Sequence, residues 1–239
     1  YRIARDGTIS EARSLIQHIG SSVHPRQKGP HAHSIDVDLD NRFVAVSDLG
    51  LDQVVLYHLN PRRGVLSASD HPAVETAPGA GPRHFSFHPN GNYAYGINEL
   101  NLTVNAYNYN SRLGLLHSHQ VVSTLPPEEK PQTGYSTAEL YVHPSGKFLY
   151  GSNRGHHSIV VYAIDDQTGK LTYVENESTL GETPRSFGID PTGKYLLALN
   201  QSSSTIVVFE INQDTGQLEP THVKVPCPTP VATAFLPLP

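Results

Sequence analysis

A repeat constrains this chain more than any other feature. A short apolar strand ending in Asp or His runs into a tight turn and then an aromatic-rich strand, four times over. The copies read Ser34-Ile35-Asp36-Val37-Asp38 into Phe43-Val44-Ala45-Val46, then Phe85-Ser86-Phe87-His88 into Tyr93-Ala94-Tyr95. They continue as Leu140-Tyr141-Val142-His143 into Phe148, and Phe187-Gly188-Ile189-Asp190 into Tyr195. Anchored on Asp38, His88, His143 and Asp190, the copies lie 50, 55 and 47 residues apart. Ten residues past each anchor stands Asp48, Asn98, Asn153 or Asn200, so the register holds through the first hairpin. A third strand follows in each copy (Val54–Tyr57, Val104–Tyr107, Ile159–Tyr162, Ile206–Phe209). A turn such as Asp166-Gln167-Thr168-Gly169 then leads to a weaker fourth strand such as Leu171–Val174. Alternating apolar positions bounded by Gly-bearing turns mark strands. Four antiparallel strands in a unit of ~40–50 residues make a β-propeller blade. The expected fold is all-β: a single β-propeller domain of four-stranded antiparallel blades over residues 1–239.

Composition narrows the function. Gly and Pro number 19 each, which suits a turn-rich β protein. The 17 Lys+Arg against 22 Asp+Glu give a net charge of −5, which argues against nucleic-acid or polybasic membrane partners. No apolar run approaches the ~18 residues of a membrane-spanning helix. The one cysteine, Cys227, excludes an internal disulfide and a multi-Cys zinc site, and it suits a cytoplasmic protein. Among the 14 histidines, His31-Ala32-His33 and His156-His157 lack a spaced third ligand, so no metal and no cofactor are expected.

The register also sorts the loops. With the strands of a blade lettered a to d outward from the axis, strand a begins five residues before each anchor, and strand b ends about ten after it. Antiparallel pairing puts these two ends, and the d-to-a connections, on one face of the ring. The minus-five positions hold His33, Arg83, Ala138 and Arg185, with Glu139 beside Ala138. The plus-eleven positions hold Leu49, Glu99, Arg154 and Gln201. His31 precedes His33 by two, which by strand alternation puts both on one side of strand a. Cations, carboxylates and imidazoles converging at the mouth of a channel point to a binding site. For each charge alone, a solvated or blade-bridging role competes with that reading. The plus-ten Asp/Asn set is expected to brace turns through side-chain-to-backbone bonds rather than to hold calcium. Ser123–Thr137 is expected to be a polar surface connection on the same face.

At these residues the sequence resembles the lactonase family of seven-bladed propellers. That family includes propeller-type 6-phosphogluconolactonases and the carboxymuconate-lactonising enzyme. The carriers are Gly29-Pro30-His31-Ala32-His33-Ser34, Gly81-Pro82-Arg83-His84, Ile97-Asn98-Glu99-Leu100, Ala138-Glu139, Ser152-Asn153-Arg154-Gly155 and Thr183-Pro184-Arg185. The resemblance implies a metal-free hydrolase or lactonising enzyme acting on an anionic sugar-acid or dicarboxylic lactone. It places His31 or His33, Arg83, Glu99 and Arg154 in the active cleft. Arg83, Arg154 and Arg185 would bind the anion, and Glu99 or His33 would activate water. The register, apart from the resemblance, adds His31, Glu139, Arg185 and Gln201 as candidate substrate-site residues. Where the family often has Pro-Arg-His-Phe in the last repeat, this chain has Pro184-Arg185-Ser186-Phe187. A carboxymuconate cycloisomerase would use the same cations, whereas a non-catalytic propeller scaffold would turn over neither lactone.

At about 50 residues per blade the length amounts to roughly five blades, against seven in the family. Tyr1 to Gly20 are expected to supply the tail of an earlier blade, and Val231–Leu236 the inner strand of a further one. On this reading the N-terminal blades are lacking.

Overall fold

A computed structural model describes residues 1–236. Blade I comprises β1 (Ala32–Val37), β2 (Phe43–Asp48), β3 (Gln53–Asn60) and β4 (Val65–Glu75). Blade II comprises β5 (Pro82–Phe87), β6 (Tyr93–Asn98), β7 (Thr103–Asn110) and β8 (Leu115–Ser123). Blade III comprises β9 (Ser136–Val142), β10 (Phe148–Arg154), β11 (Ser158–Ile164) and β12 (Leu171–Ser178). Blade IV comprises β13 (Pro184–Ile189), β14 (Tyr195–Asn200), β15 (Thr205–Ile211) and β16 (Leu218–Pro226). Each blade is one antiparallel sheet with its strands in sequence order, and the described residues contain no helix. The inner strands β1, β5, β9 and β13 pack side by side in that order.

The cores lie between the blades. Every residue of β2 and of β6 is buried, so these strands are covered on both faces. Ala45, Val54 and Leu56 of blade I meet Phe85, Ala94, Tyr107 and Tyr109 of blade II. Ile97 and Val104 of blade II meet Leu140, Leu149, Val160 and Tyr162 of blade III. Tyr150, Ile159 and Val161 meet Phe187, Ala198 and Phe209 of blade IV. Each such large side chain stabilises the array by about 1.5–3 kcal/mol.

The repeated turn residues stitch the blades together. Each anchor carbonyl accepts from the N–H three residues on, at Asn41, Gly91, Gly146 and Gly193. These residues have φ of 53, 74, 76 and 73°, the left-handed region open to Gly and tolerated by Asn. Three of the anchor side chains then reach the next blade, while Asp190, among the described residues, bonds only within its own hairpin. His88 Nε2 lies 2.8 Å from the Gly146 carbonyl, and His143 Nε2 lies 2.7 Å from that of Gly193. In the first blade, where the anchor is Asp38, the Tyr109 hydroxyl of blade II donates to it at 3.0 Å. The c–d turns dock likewise: a Cβ on Gly169 would fall 2.4 Å from the Tyr93 ring, and one on Gly216 2.5 Å from the Phe148 ring.

The plus-ten side chains brace the sheet ends. Asp48 Oδ1 accepts from His31 N at 2.7 Å, and Asn153 Nδ2 and Asn200 Nδ2 donate to the carbonyls of Thr124 and Thr179. Asn98 Nδ2 instead donates to Thr103 and Asn105.

Two segments differ from the strands expected of them. Residues 1–20 form no sheet strand beyond one bridge between Ile3 and Ile9. Residues 14–18 lie over the face of blade I that blade II does not cover. There His18 bridges Asp48 Oδ2 at 2.5 Å and the Tyr57 hydroxyl at 2.6 Å. Residues 231–236 are also irregular, because no described segment lies alongside to pair their N–H and C=O groups. Thr233 and Phe235 nonetheless pack against Gly188 of β13.

Candidate active site

Each inner strand is bulged near its start, at the minus-five position. Pro82 and His84 pair with consecutive residues Asn98 and Ile97, so Arg83 is the extra residue. His33 is extra in blade I and Arg185 in blade IV by the same count. In blade III the irregularity spans Ala138 and Glu139. A bulge bends the strand and re-aims a side chain out of the alternation. The corresponding plus-eleven residue closes over it: Leu49, Glu99 and Gln201 donate their N–H to the carbonyls of His31, Gly81 and Thr183. The bulges thus place chemistry-bearing side chains at the mouth formed by the four inner strands.

Glu99 is the hub of that mouth. Its side chain is 4% exposed, and both carboxylate oxygens are taken by arginines. Arg83 Nε donates to Oε2 at 2.8 Å, while Arg26 Nη2 at 2.6 Å and Arg154 Nη2 at 3.0 Å share Oε1. Burial alone would raise its pKa; Arg154, Arg26 and Arg83 together hold it below the usual carboxylate value. Arg83 also donates to the Ala138 carbonyl at 2.7 Å, and Arg154 to that of Thr137 at 2.7 Å. Arg154 Nε is buried with no partner. Desolvation pulls Arg83 down to about 10, opposed by Glu99. Arg185 makes no hydrogen bond or ion pair among the described residues, although its charge is felt at His33, Arg83 and Arg154. One carboxylate therefore gathers three guanidiniums, with a fourth nearby and unneutralised.

A second group lies on the same inner strands. Glu139 is 6% exposed. Its Oε1 faces His84 Nδ1 and accepts from Leu140 N at 3.1 Å, and its Oε2 accepts from the Ser186 hydroxyl at 3.0 Å. The His84 ring stands 5.1 Å from the His33 ring, tilted by 50°. Although His33 is exposed as a residue, desolvation of its ring in the mouth pushes it down to about 4, with the Arg83 and His84 charges adding to the effect, so His33 is neutral at pH 7. Asp36, with its Oδ2 buried and unbonded, is raised to about 7 by desolvation, and Glu139 adds to the rise.

The fold thus gathers Arg83, Glu99 and Arg154 in one contact network and sets His33, Arg185 and Glu139 around it. His31 is different: the bulge at His33 breaks the alternation that paired them. His31 precedes β1 with its backbone held by Asp48; its side chain is exposed, as that of His33 is, but among the described residues it makes no hydrogen bond, ion pair or ring contact with the hub or with His84. Gln201 is at the mouth through its backbone bond to Thr183, and its side chain makes no bond among the described residues. Arg26, His84 and Ser186 are additions. Arg26 lies outside the repeat, where no register points to it. His84 follows Arg83, and simple alternation would have turned it away.

A family model, "Lactonase, 7-bladed beta-propeller", matches residues 1–235. The chain belongs to the seven-bladed β-propeller lactonase family. Among curated relatives of this lactonase-family chain, the 6-phosphogluconolactonase of Bacillus subtilis is 37% identical over 187 residues, covering 78% of this chain and 52% of the relative. That of Formosa agariphila is 38% identical over 194 residues, covering 79% and 53%. The periplasmic gluconolactonase of Pseudomonas aeruginosa superposes with a TM-score of 0.91 at 32% identity, covering 99% of this chain and 65% of that one. The chain spans about half the length of the curated relatives it matches.

Proposed function

We propose that this chain carries the centre of a lactone hydrolase whose substrate is an anionic sugar-acid lactone, with 6-phosphogluconolactone the first candidate. The observation that carries the reading is the buried Glu99 holding three arginines beside an unneutralised Arg185 and a pair of imidazoles. Guanidinium N–H groups that Glu99 and the backbone leave unused, on Arg83, Arg154, Arg26 and Arg185, suit a phosphate or carboxylate. The same groups stabilise the oxyanion that forms when water attacks the lactone carbonyl. In this reading Glu99 organises the arginines. Its oxygens are engaged and its ionised form is favoured, which makes it a weak base. Neutral His33 donates or accepts a hydrogen bond from the sugar ring. The two 6-phosphogluconolactonase relatives and the gluconolactonase neighbour support the substrate class.

The test is enzyme-catalysed ring opening of 6-phosphogluconolactone, of gluconolactone and of a muconolactone, by hydrolysis or by isomerisation to the muconate, each corrected for spontaneous ring opening. The expected result is the highest kcat/KM on the phosphorylated lactone, with Arg154→Met losing more on it than on gluconolactone. Preferential turnover of the muconolactone would favour cycloisomerase chemistry. No catalysis on any of the three would favour a scaffold.

A further inference from the structure

We propose that His84, oriented by Glu139, is the base that activates water at this site. The inference rests on the lactonase reading above and assigns a catalytic residue within it. Three imidazole or carboxylate groups at the mouth compete for the role. Glu99 is ruled out as the first choice by its three arginine partners. His33 is neutral because desolvation, and then the nearby Arg83 and Arg185 charges, oppose its taking a proton. His84 has the opposite arrangement. Its Nδ1 is against a buried carboxylate, which can only accept, so in the proposed reactive state Nδ1 carries the proton and Nε2 presents its lone pair. Among the described residues Nε2 has no hydrogen-bond partner, and the side chain is 24% exposed, so water reaches it. Ser186 Oγ and Leu140 N fix the carboxylate, which in turn fixes the ring. A carboxylate that selects the tautomer and stabilises the imidazolium is the arrangement by which histidine serves as a general base.

The step balances with water alone. His84 Nε2 takes a proton from water as the water oxygen bonds to the lactone carbonyl carbon. The carbonyl π electrons move to oxygen, and the arginines receive the oxyanion. Collapse of that intermediate re-forms the carbonyl and breaks the acyl–ring-oxygen bond. The leaving ring oxygen takes the proton back from His84 Nε2 and becomes the product hydroxyl. The new carboxylic acid releases its own proton to solvent.

The proposal predicts a separation of kcat from KM. With 6-phosphogluconolactone, His84→Gln lowers kcat by ~10²-fold or more, the low end for general acid–base catalysis, and leaves KM within about threefold. Glu139→Gln, a change at the positioning residue, lowers kcat at least about tenfold with KM retained. His84→Ala regains part of its rate with added imidazole. Thermal melts report whether each variant folds, and Glu139→Gln with the Ser186→Ala control carries the test if His84 variants do not. A His84→Gln kcat within threefold of wild type, or a Glu139→Gln loss confined to KM, overturns the assignment while leaving the lactonase reading intact. A wild-type protein that does not accelerate ring opening at all overturns both.

Discussion

Replacing Glu99 with Gln tests the arginine hub most sharply. The Glu99 and Arg83 side chains are 4% and 3% exposed, so this pair is a buried ion pair. Removing one partner of such a pair costs about 3–5 kcal/mol, because the other charge is left uncompensated. Arg26 is 53% exposed, and its share is no more than ~1 kcal/mol. Gln keeps the shape but offers one acceptor oxygen, and its NH2 faces a guanidinium where the other carboxylate oxygen had accepted. At roughly 2–4 °C per kcal/mol for a chain of this size, Tm should fall by about 6–20 °C. The gap should narrow below about pH 4.5. The folded-state pKa of Glu99 lies below its usual 4.5, so its contribution is complete above that value and is lost as pH falls through the folded pKa. Phosphate should recover more stability in Glu99→Gln than in wild type, since it occupies arginines that the carboxylate no longer holds. Glu99→Leu with Arg83→Met should be less destabilised than Glu99→Gln, because both members of the buried pair are then gone. A Tm within about 2 °C of wild type for Glu99→Gln would refute the argument that the hub is one coupled network.

Other outcomes follow from the same geometry. Asp36→Asn should stabilise the protein at pH 8. The native carboxyl holds its proton up to about pH 7, so stability falls between pH 3.8 and 7 as the unfolded chain ionises first, and melts across that range should lose this slope in the variant. His33 should stay neutral in an NMR titration until pH approaches 4; its lowered pKa makes stability drop as pH falls from 6.5 to 4, and His33→Asn should flatten that limb. Gly169→Ala should destabilise by at least ~1–3 kcal/mol in urea unfolding, since the added methyl meets the Tyr93 ring at φ of 66°.

The blade architecture was legible because every blade solves the same problem. Asp38, His88, His143 and Asp190 must each close a hairpin, and the first three also bridge to a neighbour, so one turn chemistry recurs and keeps its spacing. The face on which the site lies followed from that register, and so did Arg83, Glu99 and Arg154. What spacing does not carry is the bulge. One extra residue in β1 or β5 leaves the anchor distances unchanged, yet it overturns the alternation that grouped His31 with His33 and would have turned His84 away from Arg83. Arg26 was invisible for another reason: it lies on an irregular segment before β1, and only the three-dimensional approach to Glu99 Oε1 gives it a role. Ser186 showed in sequence only as a departure from Pro-Arg-His-Phe, whereas in space its hydroxyl braces Glu139.

The central claim is that the arginine-lined mouth of the inner strands receives the anionic lactone. The most direct test is a crystal structure with the hydrolysis product, 6-phosphogluconate, bound. The account predicts an anionic group of the product within hydrogen-bond distance of Arg83 and Arg154, with Arg185 turned toward it and the sugar chain alongside His33 and His84. Product bound away from this mouth, with Arg83 and Arg154 touching only Glu99 and the backbone as they do now, would contradict it.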